Sequence, residues 1–299
     1  MRLHVVHETH YRYGSPVVLS QQLLHLAPRV LPWQTVHSHR ASIDPAAGEF
    51  DEREDYYGNR TVHLLIAAPH EELVVRAESE VEVAPREKAA LETPPVPWEA
   101  VRERLRSLTE PPLTEPSAFL YESPHVEIWR EITDYAAKSF PRGRAMLDAT
   151  LDLARRIHKD FTFDKKATSV ATPLRQVLKQ RRGVCQDFAH LMIGCLRAMG
   201  LAARYVSGYI LTLPPTGRPR RVGADASHAW VSVHCGEAAG WIDIDPTNDC
   251  LVDDEHVTLG WGRDFGDVTP MRGVILGGGE QALEVHVTVT PRSAASIKS

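Results

Sequence analysis

An α+β fold in two parts is predicted by two changes of period along this 299-residue chain. From residue 1 to about residue 85, apolar and polar residues alternate in short runs broken by Gly, Pro and Asn, which predicts an antiparallel β-sandwich. Beyond about residue 125 the apolar period lengthens to that of helices and then returns to short strands, which predicts helices packed on an antiparallel sheet. The expected organisation is a sandwich over residues 1–90, a Pro-rich linker over 91–124 and a second unit over 125–299.

The first part shows strand-like runs at residues 3–9, 60–66 and 73–77, with Tyr57-Gly58-Asn59 as a turn between two of them. In the linker, Pro94, Pro95, Pro97, Pro111 and Pro112 flank a short helical stretch at residues 99–108. Val126 to Ala137 and the stripe Leu147, Leu151, Ala154 with Met146, Thr150, Leu153, Ile157 read as helices. Pro173 opens a short one through Leu178, and Cys185 to Met199 forms another that Gly200 stops. Strands follow at 203–211, 229–234, 241–244 and 282–290, with a loop over Thr212 to Asp225 long enough to border a site.

Bulk properties narrow the function. A net charge of −5 leaves no footprint for nucleic acid or an anionic membrane surface, and the 15 histidines change that balance only in acid. No apolar run reaches the length of a membrane span, and the start Met1-Arg2-Leu3-His4 lacks the apolar core of a secretory signal, so the expected location is cytoplasmic. The four cysteines, at 185, 195, 235 and 250, fit neither a disulfide framework nor CxxC spacing. Neither a metal nor another cofactor is expected: grouping Cys235 and Cys250 with His234 and His256 matches no common zinc pattern, and Asp253-Asp254-Glu255 lacks the ligand spacing of a calcium loop.

Three residues make a chemical set. Cys185 follows Gly183 into the first turn of a helix whose stripe is Phe188, Leu191, Met192, Cys195, Leu196 and Met199. There the unpaired N–H groups and the positive end of the macrodipole favour a thiolate, and the same N–H groups suit an oxyanion. His228 starts one strand and Asp245 ends the next, across the short turn 235–239, so a hairpin brings them together. Asp243 shares the face of Asp245 and remains an alternative, although Pro246 ends the strand at Asp245 and favours it. A thiol nucleophile, an imidazole base and an orienting carboxylate form an acyl-transfer apparatus.

The runs Gly183-Val184-Cys185-Gln186-Asp187-Phe188-Ala189-His190, Ala203-Arg204-Tyr205-Val206-Ser207-Gly208-Tyr209, Ser227-His228-Ala229-Trp230 and Gly240-Trp241 through Asp245-Pro246-Thr247-Asn248 closely resemble the bacterial transglutaminase-like cysteine protease family. Tyr11-Arg12-Tyr13, Leu26-Ala27-Pro28-Arg29 and Asp55-Tyr56-Tyr57-Gly58-Asn59 are similar to its N-terminal domain, and Gly262-Arg263-Asp264-Phe265 to its C-terminal signature. The resemblance covers nearly the whole chain. It implies a transglutaminase-like, papain-related core, with Cys185 as nucleophile, His228 as base and Asp245 as orienting carboxylate. It departs at Phe163, where relatives often carry Tyr.

The implied reaction is hydrolysis of amide or isopeptide bonds in a peptide or protein through an acyl-enzyme. Transamidation, small-molecule acyl transfer and a non-catalytic peptide-binding module are the alternatives. Tyr205, Tyr209, Trp230 and Arg263 are candidate substrate contacts, each with a packing or ion-pair role as its rival reading. Asp187 reads as an acid at a helix N-terminus and Cys195 as core.

Overall fold

The computed structural model describes residues 1–86, 93–107, 114–212 and 227–292. Its first strand, β1 (Arg2–Leu24), organises the N-terminal sheet because it is long enough to be shared by two sets of neighbours. The other strands are β2 (Gln34–Asp44), β3 (Glu49–Glu54), β4 (Arg60–Ile66) and β5 (His70–Val83), in the order β2-β5-β1-β4-β3. β5 pairs with the first half of β1 and β4 with the second half, all antiparallel. Leu24, Leu64, Leu73, Val75 and Ala77, drawn from both halves, share one apolar cluster. The expected sandwich is therefore a single antiparallel sheet folded on β1.

Two strands from the far end of the chain complete this sheet. β13 (Met271–Gly277) pairs with Val17–Leu24, and β14 (Gln281–Pro291) pairs with Leu3–Tyr13. The expected boundaries 1–90 and 125–299 are corrected here: residues 271–291 lie in the N-terminal sheet, because β1 has a free ladder edge that only distant strands fill.

The stretch expected as linker contains α1 (Trp98–Ser107) and α2 (Thr114–Ser117). Trp98, Val101 and Leu105 of α1 are buried, and so the linker packs as part of the second unit. α3 (Arg130–Ala137) starts four residues later than its periodicity suggests, because Val126 bridges back to Ser123 as extended chain. α4 (Met146–Asp160), β6 (Thr162–Phe163), α5 (Leu174–Gln180), β7 (Arg182–Gly183) and α6 (Cys185–Ala198) follow. The loop expected over residues 212–225 lies, beyond Thr212, outside the described residues.

α6 packs on a five-stranded antiparallel sheet made of β8 (Ala203–Ile210), β9 (Ser227–His234), β10 (Trp241–Asp245), β11 (Cys250–Leu251) and β12 (His256–Gly262). Its order is β11-β10-β9-β8-β12. Ala229, Val231 and Val233 face α6 by period two, with Ile242 and Ile244 beside them. No helix among the described residues is long and apolar enough to cross a membrane.

The two units meet along β12. Leu3 and Val5 of β1 pack with Tyr209, Val257 and Leu259 in one cluster. Two side-chain amides pair with the backbone of β12 as a further strand would. Gln34 donates to Thr258 O at 2.8 Å and accepts from Thr258 N at 2.8 Å, and Asn59 does the same with Trp261 at 2.8 and 3.0 Å. Leu3→Ala is expected to cost about 2–5 kcal/mol. A single cooperative urea transition carrying that loss supports one shared core, whereas a shift confined to an early transition of the N-terminal sheet contradicts it.

Candidate active site

Cys185 sits at the first position of α6, and the turn before it is held from inside the helix. The Asp187 carboxylate reaches back to accept the Val184 N–H at 2.8 Å and the Thr168 hydroxyl at 2.6 Å. A Cβ on Gly183 would lie 2.7 Å from an Asp187 oxygen, which is why glycine precedes the nucleophile position. Burial raises the Asp187 carboxyl against these two bonds, which oppose the rise. Cys185 is partly exposed, whereas Cys195 and Cys235 are buried with thiols raised by burial, the latter to about 12. Cys250 is partly exposed too, but burial and the charges of Asp245, Asp249 and Glu255 push its thiol up to about 11.

The hairpin brings His228 and Asp245 together as its spacing suggests. His228 Nε2 lies 2.7 Å from Asp245 Oδ2, and the same ring stands within electrostatic reach of Cys185. Because Asp245 takes Nε2, Nδ1 is the nitrogen available to Cys185. Burial opposes charge on His228, but the bond to Asp245 and then the nearby Cys185 overcome it and raise the ring to about 10.

Asp245 is fully buried and richly bonded. Its Oδ1 accepts the N–H groups of Thr247 and Asn248 at 2.8 and 3.2 Å, and its Oδ2 accepts Asn248 Nδ2 at 2.6 Å; His256 Nε2 stands 3.5 Å from Oδ2 without a hydrogen bond to it. Burial alone would raise this carboxyl; the His228 and His256 contacts instead hold it well below the usual carboxylate range. Asp243 turns elsewhere, to Arg86 at 3.2 Å and to the Trp230 indole at 3.5 Å.

Asn248 and His256 are neighbours of this site that the sequence reading assigned no role. Asn248 stood inside a quoted motif, and its adjacency to the Asp245-Pro246 turn was the available signal. His256 lies in a strand with no sequence signal linking it to Asp245. Ligand atoms of His228, Asp245 and His256 lie within 4.8 Å of one another. The 2.7 Å between His228 and Asp245 is a hydrogen bond, shorter than two ligands of one tetrahedral ion stand apart.

The expected substrate contacts need correction. Tyr209 is buried and bonds His7 Nδ1 at 2.8 Å in the contact between units, so it cannot reach a substrate. Trp230 is fully buried among Val206 and Val252. Arg263 spends its guanidinium on both oxygens of Asp267 at 2.9 Å each, the ion-pair reading. Tyr205 is also buried, yet it stands within electrostatic reach of Cys185; burial first, then Cys185, raises its phenol well above the usual value.

Two family models match the chain: the bacterial transglutaminase-like N-terminal region over residues 3–82 and the transglutaminase-like superfamily over residues 133–246. An uncharacterized protein of Mycobacterium tuberculosis is 41% identical over 296 residues, which is 97% of this chain and 93% of that protein. One from Mycobacterium leprae is 32% identical over 295 residues, covering 97% and 98%. A protein-glutamine gamma-glutamyltransferase of Pseudomonas aeruginosa is 32% identical over 121 residues, 40% of this chain and 18% of that protein. Among solved structures, a candidate cysteine protease from Cytophaga hutchinsonii superposes with a TM-score of 0.74 at 21% identity, covering 97% of this chain and 90% of its own, so the fold is shared.

Asp187→Ala leaves the Val184 N–H and the Thr168 hydroxyl without their acceptor and is expected to cost about 1–3 kcal/mol in urea unfolding. It should also slow iodoacetamide labelling of Cys185; an unchanged rate would show that the turn holds its shape without the carboxylate. The His228 ring is expected to titrate near 10 by NMR, against an ordinary 6.5, and to fall in Asp245→Asn. Since its folded value is the raised one, the stabilisation is complete below about pH 6.5 and fades as pH rises through about 10. The stability gap between the wild type and His228→Gln should therefore narrow across that window. A ring that titrates at or below 6.5 contradicts this account.

Proposed function

The chain belongs to the transglutaminase-like superfamily, and from that premise we propose that it is a cysteine-dependent enzyme that hydrolyses amide or isopeptide bonds of a peptide or protein. The observation that supports this reading is the His228 ring, bonded to Asp245 at 2.7 Å and within electrostatic reach of Cys185 at the first position of α6.

In this mechanism His228, raised to about 10, already holds the proton given up by the Cys185 thiol, and the sulfur attacks the carbonyl carbon to form a C–S bond as the carbonyl electron pair moves to oxygen. The N–H groups of the first turn of α6 have no partner within the helix and suit the oxygen that becomes negative. The imidazolium, steadied by Asp245, gives its proton to the leaving amine as the C–N bond breaks. Water then loses a proton to His228 and attacks the thioester, releasing the acid and restoring the thiol. Asn248 acts by fixing Asp245, so it is a positioning residue.

Transamidation, with an amine in place of water, is the second reading. It is favoured by the likeness to the Pseudomonas aeruginosa glutamyltransferase and uses the same groups.

Incubation with a mixed protein substrate in ¹⁸O-water plus a primary amine, followed by mass spectrometry, separates the two. Hydrolysis predicts an acyl adduct on Cys185 and ¹⁸O in a product carboxyl; dominant amine conjugates favour transamidation. An adduct that persists in Cys185→Ala defeats both. Asp245→Asn is expected to lower kcat by about 10³–10⁴-fold, the scale for losing the carboxylate that orients a catalytic imidazole. A loss under tenfold would remove Asp245 from this role.

A further inference from the structure

The segment leading into Cys185 is basic in a chain that is acidic overall. Residues 155–182 hold nine Lys or Arg against two acids, Asp160 and Asp164, while the whole chain carries −5. The fold seats this segment against the candidate site at two points. His158, near the end of α4, bonds the backbone oxygen of Thr247 at 2.8 Å, two residues past Asp245. The loop after β6 is stitched to the Cys185 turn at both of its ends. The Asp164 N–H donates to Gly183 O at 2.9 Å, and the Thr168 hydroxyl donates to Asp187 at 2.6 Å.

Lys165 and Lys166 lie between those two bonds and are exposed, and Lys159 and Lys179 are exposed at the ends of α4 and α5. The ion pairs of the segment are made by its arginines: Arg155 with Asp249, Arg175 with Glu127 and Arg182 with Asp164. Among the described residues the four lysines have no such partner. Phe163, 47% exposed, and Val170, 51% exposed, add apolar surface at the two ends of the same loop.

Single exposed charges bind weakly, but several of one sign around one point raise the local concentration of the opposite charge and speed its encounter. We propose that Lys165 and Lys166, on the loop tied to the Cys185 turn, form with Phe163 and Val170 a docking surface for an acidic polypeptide segment that delivers a nearby amide to Cys185. The inference rests on the acyl-transfer reading of Cys185. A polypeptide fits better than a nucleic acid, because apolar side chains stand among the lysines and the reacting bond is an amide.

The test uses the full chain and three chloroacetyl peptides of equal length, Glu-rich, Ser-rich and Lys-rich. Alkylation of Cys185 is followed by mass spectrometry, and each rate is divided by the same protein's rate with iodoacetamide. The expected result is a preference of about tenfold for the Glu-rich over the Ser-rich peptide at low ionic strength, the lower end of electrostatic steering. The preference should fall toward one at about 0.5 M NaCl. K165E/K166E should reverse it, and K165Q/K166Q should reduce it.

A ratio near one in the wild type, or a ratio that neither variant moves, overturns the proposal. So does an oligonucleotide that suppresses labelling at lower concentration than polyglutamate of equal charge. Iodoacetamide labelling of Cys185 that is no faster in the wild type than in His228→Ala strikes the acyl-transfer reading instead, and is scored separately from the charge ratio.

Discussion

A carboxylate with no exposure to water has to be answered by donors, and Asp245 sets the terms on which the second unit is built. Its donors come from His228 at the start of β9 and the Thr247-Asn248 turn after β10, and His256 at the start of β12 stands 3.5 Å from it. In sheet order β12 stands three strands from β10. A flat sheet would hold those strands about 14 Å apart, so two side chains reaching toward each other across β9 and β8 close the gap to 3.5 Å.

The N-terminal sheet is tied to this arrangement through the same strand. Gln34 and Asn59 satisfy backbone groups that β12 would otherwise present as an open edge. Asn59 is itself held by Asp55 at 2.7 Å and by Arg29 at 2.5 Å. On the neighbouring sheet face, Arg204 lies over both Trp241 and Trp261 and bonds Glu115. Displacing β12 would therefore disturb the contact between units and the environment of Asp245 together.

How much of this was legible in the sequence depended on the range of the interaction. The helix of Cys185 was readable because its apolar stripe and its terminal glycine are local, and the pairing of His228 with Asp245 because a five-residue turn fixes the register. Preference for Asp245 over Asp243 followed from one proline and agrees with the contacts. β12 and β13 were missed, because Gly260, Gly262 and Gly273 make their runs look like turns, although Asn59, Asp267 and Gln22 occupy the space a Cβ would need there. Tyr209 and Trp230 looked like cleft residues, since an aromatic on a strand carries no mark of which sheet face another unit covers. The attachment of residues 271–291 to β1 had no local signature, for pairing across some 270 residues leaves no period to read.

β1, β13 and β14 share one sheet, with the candidate catalytic unit lying between β5 and β13 in sequence. A ribosome makes β1 well before β13 and β14, so each half of β1 lacks one flanking strand throughout the synthesis of the intervening unit. Folding in order of emergence is thus closed to the N-terminal sheet. Closure of its ladder reports that the intervening unit has been made, and a chain cut short before residue 271 would carry an unfilled β1 edge that proteases and chaperones can recognise.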